Sequence, residues 1–208
     1  MKSSMMIVGA FVVGCIVSYF DMVPAWLESG NGVMWVLYAL MIQVGMSIGS
    51  DPRLKEILQT LSFRLLLLPC ATIIGTFVAV ALVSLVIARW SLFDVLAVGS
   101  GMGYYSLSSI LITSLKEPAL GAAAAAELGT IALIANVLRE MFTLLLAPLM
   151  VRWFSPVAPI CSGGATTMDV TLPVITRYSG KDWVFVAIVH GILVDFSVPF
   201  FVSLFCSL

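Results

Sequence analysis

Charge is what this chain has least of. Asp, Glu, Lys and Arg make up only 10% of its 208 residues, against about a quarter in soluble domains. Ten Lys and Arg against eleven Asp and Glu leave a net charge of −1. Without a basic field there is nothing to hold a phosphate backbone, so nucleic-acid binding is excluded. A single histidine rules out a histidine-rich metal site. No HExxH, GxSxG, P-loop or GxGxxG spacing occurs, so neither an enzyme nor a metal or cofactor is expected. The four cysteines, Cys15, Cys70, Cys161 and Cys206, lie in or beside apolar runs without CxxC spacing. They read as small core residues, not as a disulfide framework.

What is abundant is apolar surface. Hydrophobic residues make up 61% of the chain, and the mean hydropathy is +1.13. A bilayer is the natural solvent for such a composition. A spanning helix needs roughly 20 apolar residues, so this length accommodates about six to eight passes. The expected fold is an all-α integral membrane protein in one domain, residues 1–208, a polytopic bundle with glycine-broken or re-entrant helices.

The expected spans are 5–20, 33–48, 65–88, 92–115 (broken), 119–151 (long or split near Leu128-Gly129), 162–177 (broken or re-entrant) and 184–205. The first has no obvious cleavage site after it and reads as a retained span. The loop 51–64 carries Arg53, Lys55 and Arg64, which places it and the N-terminus in the cytoplasm. Simple alternation from there puts Lys116 inside and Arg152 outside, whereas the positive-inside tendency favours both inside. A re-entrant segment, or a split of 119–151, would remove the conflict. The broken character of 92–115 comes from Gly99-Ser100-Gly101-Met102-Gly103. Each glycine weakens a helix by roughly 1 kcal/mol relative to Ala, and unwound backbone survives at membrane depth only inside protein or beside a wet cavity. A second interruption, Cys161 to Pro173, is weakly similar, as the two halves of a transporter repeat would be.

Ionisable groups at membrane depth cost about 2.5–3.5 kcal/mol each on insertion scales, so each needs a reason. Asp169 stands among Thr166, Thr167 and Thr171, with Gly163-Gly164 and Pro173 releasing backbone carbonyls. That set suits an ammonium group, a sodium ion or a proton. A plainer alternative makes Asp169 the N-cap of a helix beginning near Val170. Asn136, Arg139 and Glu140 share one helix face and form either a substrate or proton relay or a polar clasp between helices. Glu127 faces a cavity or the interface. His190 either titrates or donates to a neighbouring carbonyl. Tyr104-Tyr105 walls a site or belongs to an aromatic belt, and Ser106, Ser108 and Ser109 add hydroxyls. Asp169 and Asp195 lack the Gly-Asp context of an intramembrane protease dyad.

The stretch Gly99–Pro118, the pair Arg139-Glu140, the block Gly164-Ala165-Thr166-Thr167-Met168-Asp169-Val170-Thr171-Leu172-Pro173-Val174 and the run Ala187-Ile188-Val189-His190-Gly191 together resemble the LysO-type bacterial lysine exporters. The match covers the second half of the chain well and the first half mainly in hydropathy. The resemblance implies a multi-pass protein of the bacterial inner membrane, with a fold related to cation/proton antiporters and bile-acid-type transporters. It implies export of L-lysine by proton antiport, with sodium as the other coupling ion to consider. Substrate binding then falls to Asp169, Gly164, Thr166, Thr167, Thr171, Tyr105, Ser106, Ser109, Asn136 and Arg139. Proton coupling falls to Asp169, Glu140, Glu127 and His190. Single-chain members are about half as long again, so a homodimer or a second small membrane subunit is expected to supply further helices. The competing readings are a non-transporting membrane subunit and a transporter for another solute, by sodium/proton exchange or organic-acid uptake.

Overall fold

The computed structural model of the protein describes residues 63–208, together with residues 16, 17, 19, 20, 35, 39, 42 and 46. The expected spans 5–20 and 33–48, but for those scattered positions, lie outside the described residues. The chain forms two compact units, Met1–Gln43 and Val44–Leu208, and the helices α1 to α7 all belong to the second.

Three helices carry the bundle. Helix α1 (Phe63–Ser84) is apolar almost throughout. Its 22 residues extend about 33 Å. Helix α4 (Ala122–Trp153) has 32 residues and α7 (Val184–Cys206) has 23. The stretches Leu65–Ser84, Ala122–Trp153 and Lys181–Cys206 are long and apolar enough to cross a membrane. No strand occurs among the described residues.

Between α1 and α4 lies a hairpin of two shorter helices, α2 (Leu92–Gly99) and α3 (Tyr105–Leu120). Helix α2 starts where it does because Ser91 and Asp94 form a capping box. The Ser91 hydroxyl accepts from the Asp94 N–H at 3.1 Å, and the Asp94 carboxylate accepts from the Ser91 N–H at 3.2 Å. It ends in the glycine-rich turn 100–104. Gly99 packs against Val80 of α1, where a Cβ would stand 2.6 Å from that side chain, so α2 runs back along α1. Lys116 of α3 forms an ion pair with Asp94 of α2 at 2.8 Å. A straight passage from α2 into α3 would separate these residues by well over 20 Å at 1.5 Å per residue. The chain therefore doubles back at 100–104, and α3 returns to the end of the bundle where α2 began.

Helices α3 and α4 meet at Gly121 and lie antiparallel. Helix α4 is one continuous helix, unbroken at Leu128-Gly129. The missing side chain of Gly129 serves packing: a Cβ there would stand 2.8 Å from the Ser109 carbonyl oxygen of α3. Small residues let two helix backbones approach this closely.

A second hairpin follows α4. Helix α5 (Ala158–Gly163) leads into a 3₁₀ turn, Gly164–Met168, and α6 (Leu172–Tyr178) leads out of it. A 3₁₀ turn, Lys181–Trp183, then joins α6 to α7. Ile160 of α5, Ile175 of α6 and Ala187 of α7 form one buried cluster, with Leu68 of α1 packed against it. The outer parts of both arms thus meet the beginnings of α1 and α7. This second end of the bundle is opposite the first, where Asp94, Lys116 and Gly121 lie. At the first end Cys206, the last residue of α7, lies within reach of the charges of Asp94 and Lys116. The two hairpins therefore enter the bundle from opposite ends.

Candidate functional site

The two hairpin tips meet beside the middle of α4. The Ala165 N–H of the second tip donates to the Met102 carbonyl of the first at 2.9 Å. The Gly103 N–H donates to the Asn136 side chain at 2.8 Å, and the Asn136 amide donates onward to the Ala132 carbonyl at 2.8 Å. Asn136 is buried and clamps the first tip to α4. Met102 holds φ +43° although it is no glycine, and it is fully buried. Backbone in that region costs about 1–3 kcal/mol and persists only where its surroundings enforce it. Gly164 holds φ +63°, and a Cβ there would collide with the Met102 carbonyl. Only glycine serves at this crossing.

Arg139 fixes the second tip. Its Nε donates to the Ser162 carbonyl at 2.8 Å, one terminal nitrogen to the Cys161 carbonyl at 3.1 Å, and the other to Thr76 of α1 at 3.4 Å. The two carbonyls close the C-terminal end of α5, where helix dipoles favour a cation. Thr143 adds a bond to the Ser162 hydroxyl at 2.7 Å. His190 is 1% exposed. It lies between the Thr72 hydroxyl, 2.9 Å from Nε2, and the Thr167 hydroxyl, 3.4 Å from Nδ1. It thereby ties α1, α7 and the second tip together.

The carboxylates around the crossing have no such partners. One Glu140 oxygen is buried without a hydrogen bond. Asp195 is 6% exposed, and among the described residues no donor or cation meets it. Asp169 is exposed; its carboxylate accepts from the adjacent Val170 N–H at 2.5 Å. Its charge reaches both Glu140 and Asp195, and that of Asp195 reaches the Tyr104 hydroxyl.

The structure brings Asn136, Arg139, Glu140, Gly164, Thr166, Thr167, Asp169, Thr171 and His190 into this region. The N-cap alternative for Asp169 fails, because α6 begins at Leu172 and Thr171 precedes it. Thr166 bonds within the hairpin, and Thr167 bonds both within it and to α7. The Thr166 hydroxyl donates to the Gly163 carbonyl at 3.0 Å, and the Thr167 hydroxyl lies 2.8 Å from the Gly164 and Ala187 carbonyls. Tyr105 and Ser106 are exposed on the first turn of α3 and Ser109 is half-buried; it is Tyr104 whose hydroxyl lies near a carboxylate. Glu127 stands apart, paired with Arg89 at 2.5 Å near the first end.

Sequence reasoning passed over Thr72, Thr76 and Thr143, which carry no individual signal in an apolar helix. It also passed over the Asp94–Lys116 pair, which did leave one: Ser91-x-x-Asp94 ahead of an apolar run has capping-box spacing.

A family model described as lysine exporter LysO matches residues 8–206. Among curated proteins, the lysine exporter LysO of Escherichia coli is 31% identical over 175 residues, which cover 83% of this chain and 54% of that protein. A putative lysine exporter of Haemophilus influenzae is 28% identical over 205 residues, 97% of each chain. This chain thus spans about half the length of the Escherichia coli relative. No solved structure matches. The family match runs through both hairpins and all three long helices, and the chain belongs to the lysine exporter LysO family.

Proposed function

We propose that this chain is a secondary transporter that moves L-lysine out of the cytoplasm in exchange for protons. The observation that carries the reading is the charge imbalance at the crossing. Glu140 and Asp169 stand beside it with no cation paired to them among the described residues, while the nearby guanidinium of Arg139 is committed to the carbonyls of Cys161 and Ser162. Such a site attracts ammonium groups and repels anions, which weighs against the organic-acid reading. It does not by itself separate lysine from sodium; the lysine-exporter names of the relatives favour the former.

Asp169 and Glu140 receive the substrate ammonium groups. Arg139 acts first as the residue that positions the second tip, and its remaining N–H groups can meet the substrate carboxylate. Within this acidic cluster a bound ammonium group and a bound proton disfavour one another, and that antagonism is sufficient for antiport. Motion of the two tips past one another, with Gly164 and Gly103 as the yielding points, supplies alternating access.

The protein lies in the bacterial inner membrane with α1, α4 and α7 crossing it and the two hairpins re-entrant from opposite faces. The second end faces the cytoplasm. Arg152, Arg177 and Lys181 lie there with no carboxylate partner among the described residues, whereas Arg89 and Lys116 at the first end are both ion-paired. Cytoplasmic faces carry the excess cations. A re-entrant first hairpin returns Arg152 inside, as the positive-inside tendency wants, and leaves Lys116 outside, where Asp94 neutralises its charge.

Lysine flux in proteoliposomes under an imposed proton gradient tests the reading. Gradient-driven lysine movement that disappears in Asp169→Asn is expected. Sodium-driven flux with no competition by lysine would overturn it in favour of sodium/proton exchange.

A further inference from the structure

Asp195 is the buried carboxylate that the substrate reading leaves without a task. It lies midway along α7, 6% exposed, between Val194 and the buried Val198. Among the described residues it has neither a hydrogen-bond donor nor a counter-ion. The charged or titratable groups whose fields reach it are Asp169, beyond the second tip, and Tyr104, at the end of the first tip. Among the described residues the cations of the other elements packed on α7 lie toward the ends of the bundle, Arg177 of α6 and Lys181 at the second end. Residues 65–84 of α1 contain only Cys70 as a titratable group. Asp94 of α2 and Lys116 of α3 are paired with each other at the first end, and the 3₁₀ turn Gly164–Met168 has no titratable side chain. On α7 itself His190 stands five positions away, held between Thr72 and Thr167.

A largely buried carboxylate without donor or cation is a place where a bound proton can stand in for the missing counter-charge, because an uncompensated charge away from water is costly. What distinguishes Asp195 from a passive buried acid is its neighbour. Asp169 is exposed and, on the reading above, takes the substrate ammonium.

We propose that Asp195 is the proton-carrying site of the exchange, separate from the substrate carboxylates and coupled to them through Asp169. The proposal rests on the lysine-export reading. Its steps balance. An ammonium group bound at Asp169 neutralises that charge and removes its repulsion of Asp195. The Asp195 carboxyl then releases one proton to the cytoplasmic side and becomes a carboxylate. When lysine leaves on the other side, the negative charge of Asp169 returns and Asp195 takes up one proton from outside. Each site thus disfavours occupation of the other, and one lysine leaves for each proton entering.

Two measurements on the purified full chain test this. Infrared difference spectra recorded with and without lysine are expected to show a protonated-carboxyl C=O band that lysine diminishes and that is missing in Asp195→Asn. In proteoliposomes, Asp195→Asn is expected to keep lysine–lysine counterflow within about twofold of wild type. It is expected to lose gradient-driven flux and lysine-induced proton release. Asp195→Glu is expected to restore both, with a displaced pH profile.

An infrared band unaffected by the substitution overturns the proton assignment, whatever the transport result. Loss of counterflow together with driven flux in Asp195→Asn overturns it in favour of a substrate or structural role. Driven flux retained by that variant overturns it as well. A wild type that shows the Asp195 band but carries no lysine would instead sink the lysine reading, and the coupling to lysine with it.

Discussion

Two sets of charges lie in this bundle, and they are handled in opposite ways. At the first end every described cation has a carboxylate: Lys116 lies 2.8 Å from Asp94 and Arg89 lies 2.5 Å from Glu127. At the crossing the cation and the carboxylates are close in sequence, Arg139 beside Glu140, yet the arginine turns to backbone carbonyls and the acids are left unmatched. Removing one partner of a buried pair is strongly destabilising, so Asp94 and Lys116 depend on one another. A carboxylate without a partner is one that an arriving cation or proton can neutralise. The difference separates the helix framework from the place where transport chemistry is expected, without reference to any relative.

The contrast is sharpest in its predicted losses of function. Asp169→Asn is expected to abolish lysine transport while leaving the protein folded. Among the described residues Asp169 makes no long-range hydrogen bond, only the one to its neighbour Val170. Flux in proteoliposomes beside a thermal melt in detergent checks both halves. An unfolded variant would break the comparison, since it would make Asp169 part of the framework.

The reverse is expected at the first end. Lys116→Met leaves Asp94 buried and unpaired, with side-chain exposures of 9% and 7% for the two partners. Breaking such a pair costs about 3–5 kcal/mol. The double variant Lys116→Met, Asp94→Asn is expected to recover most of that loss, because no charge is then left alone. Melting of the two variants in the same detergent decides it; equal losses would mean the pair is not coupled. Arg139→Lys falls between the two regions. Lysine keeps the charge but loses the planar fork that reaches both Cys161 and Ser162. Stability and transport rate are expected to fall together, with lysine affinity less affected. A change in affinity alone would move Arg139 from positioning the tip to holding substrate.

The framework was largely legible in the sequence, and the reasons are physical. Hydropathy marks α1, α4 and α7 because each must face apolar surroundings along its whole length. Glycine density marks both interruptions because unwinding needs residues without Cβ. What could not be read is direction. Nothing in 99–104 says whether the chain continues or doubles back; that depends on Lys116 finding Asp94 across 22 positions. The same limit hid Tyr104 and Asp195, 91 residues apart, whose proximity exists only once α7 packs against the first tip. Asp169, Glu140 and Arg139 stood out because charge is rare here. Which of them would be paired was a question of tertiary contacts.

The smallest effects test whether exposure, and not pairing alone, sets the weight of a charge. Arg89 and Glu127 form a pair as close as any among the described residues, yet their side chains are 67% and 41% exposed. Exposed pairs contribute about 0–1 kcal/mol, because water screens the attraction and two long side chains lose freedom. Arg89→Gln is therefore expected to shift the melting temperature by little, and less still at high salt, with lysine flux unchanged. The same substitution tests whether Glu127 belongs to the proton path. If Glu127 serves only this surface pair, freeing it alters neither flux nor its dependence on the proton gradient. A changed gradient dependence would move Glu127 out of the framework and into the exchange, and the division between the two ends would fail at that residue.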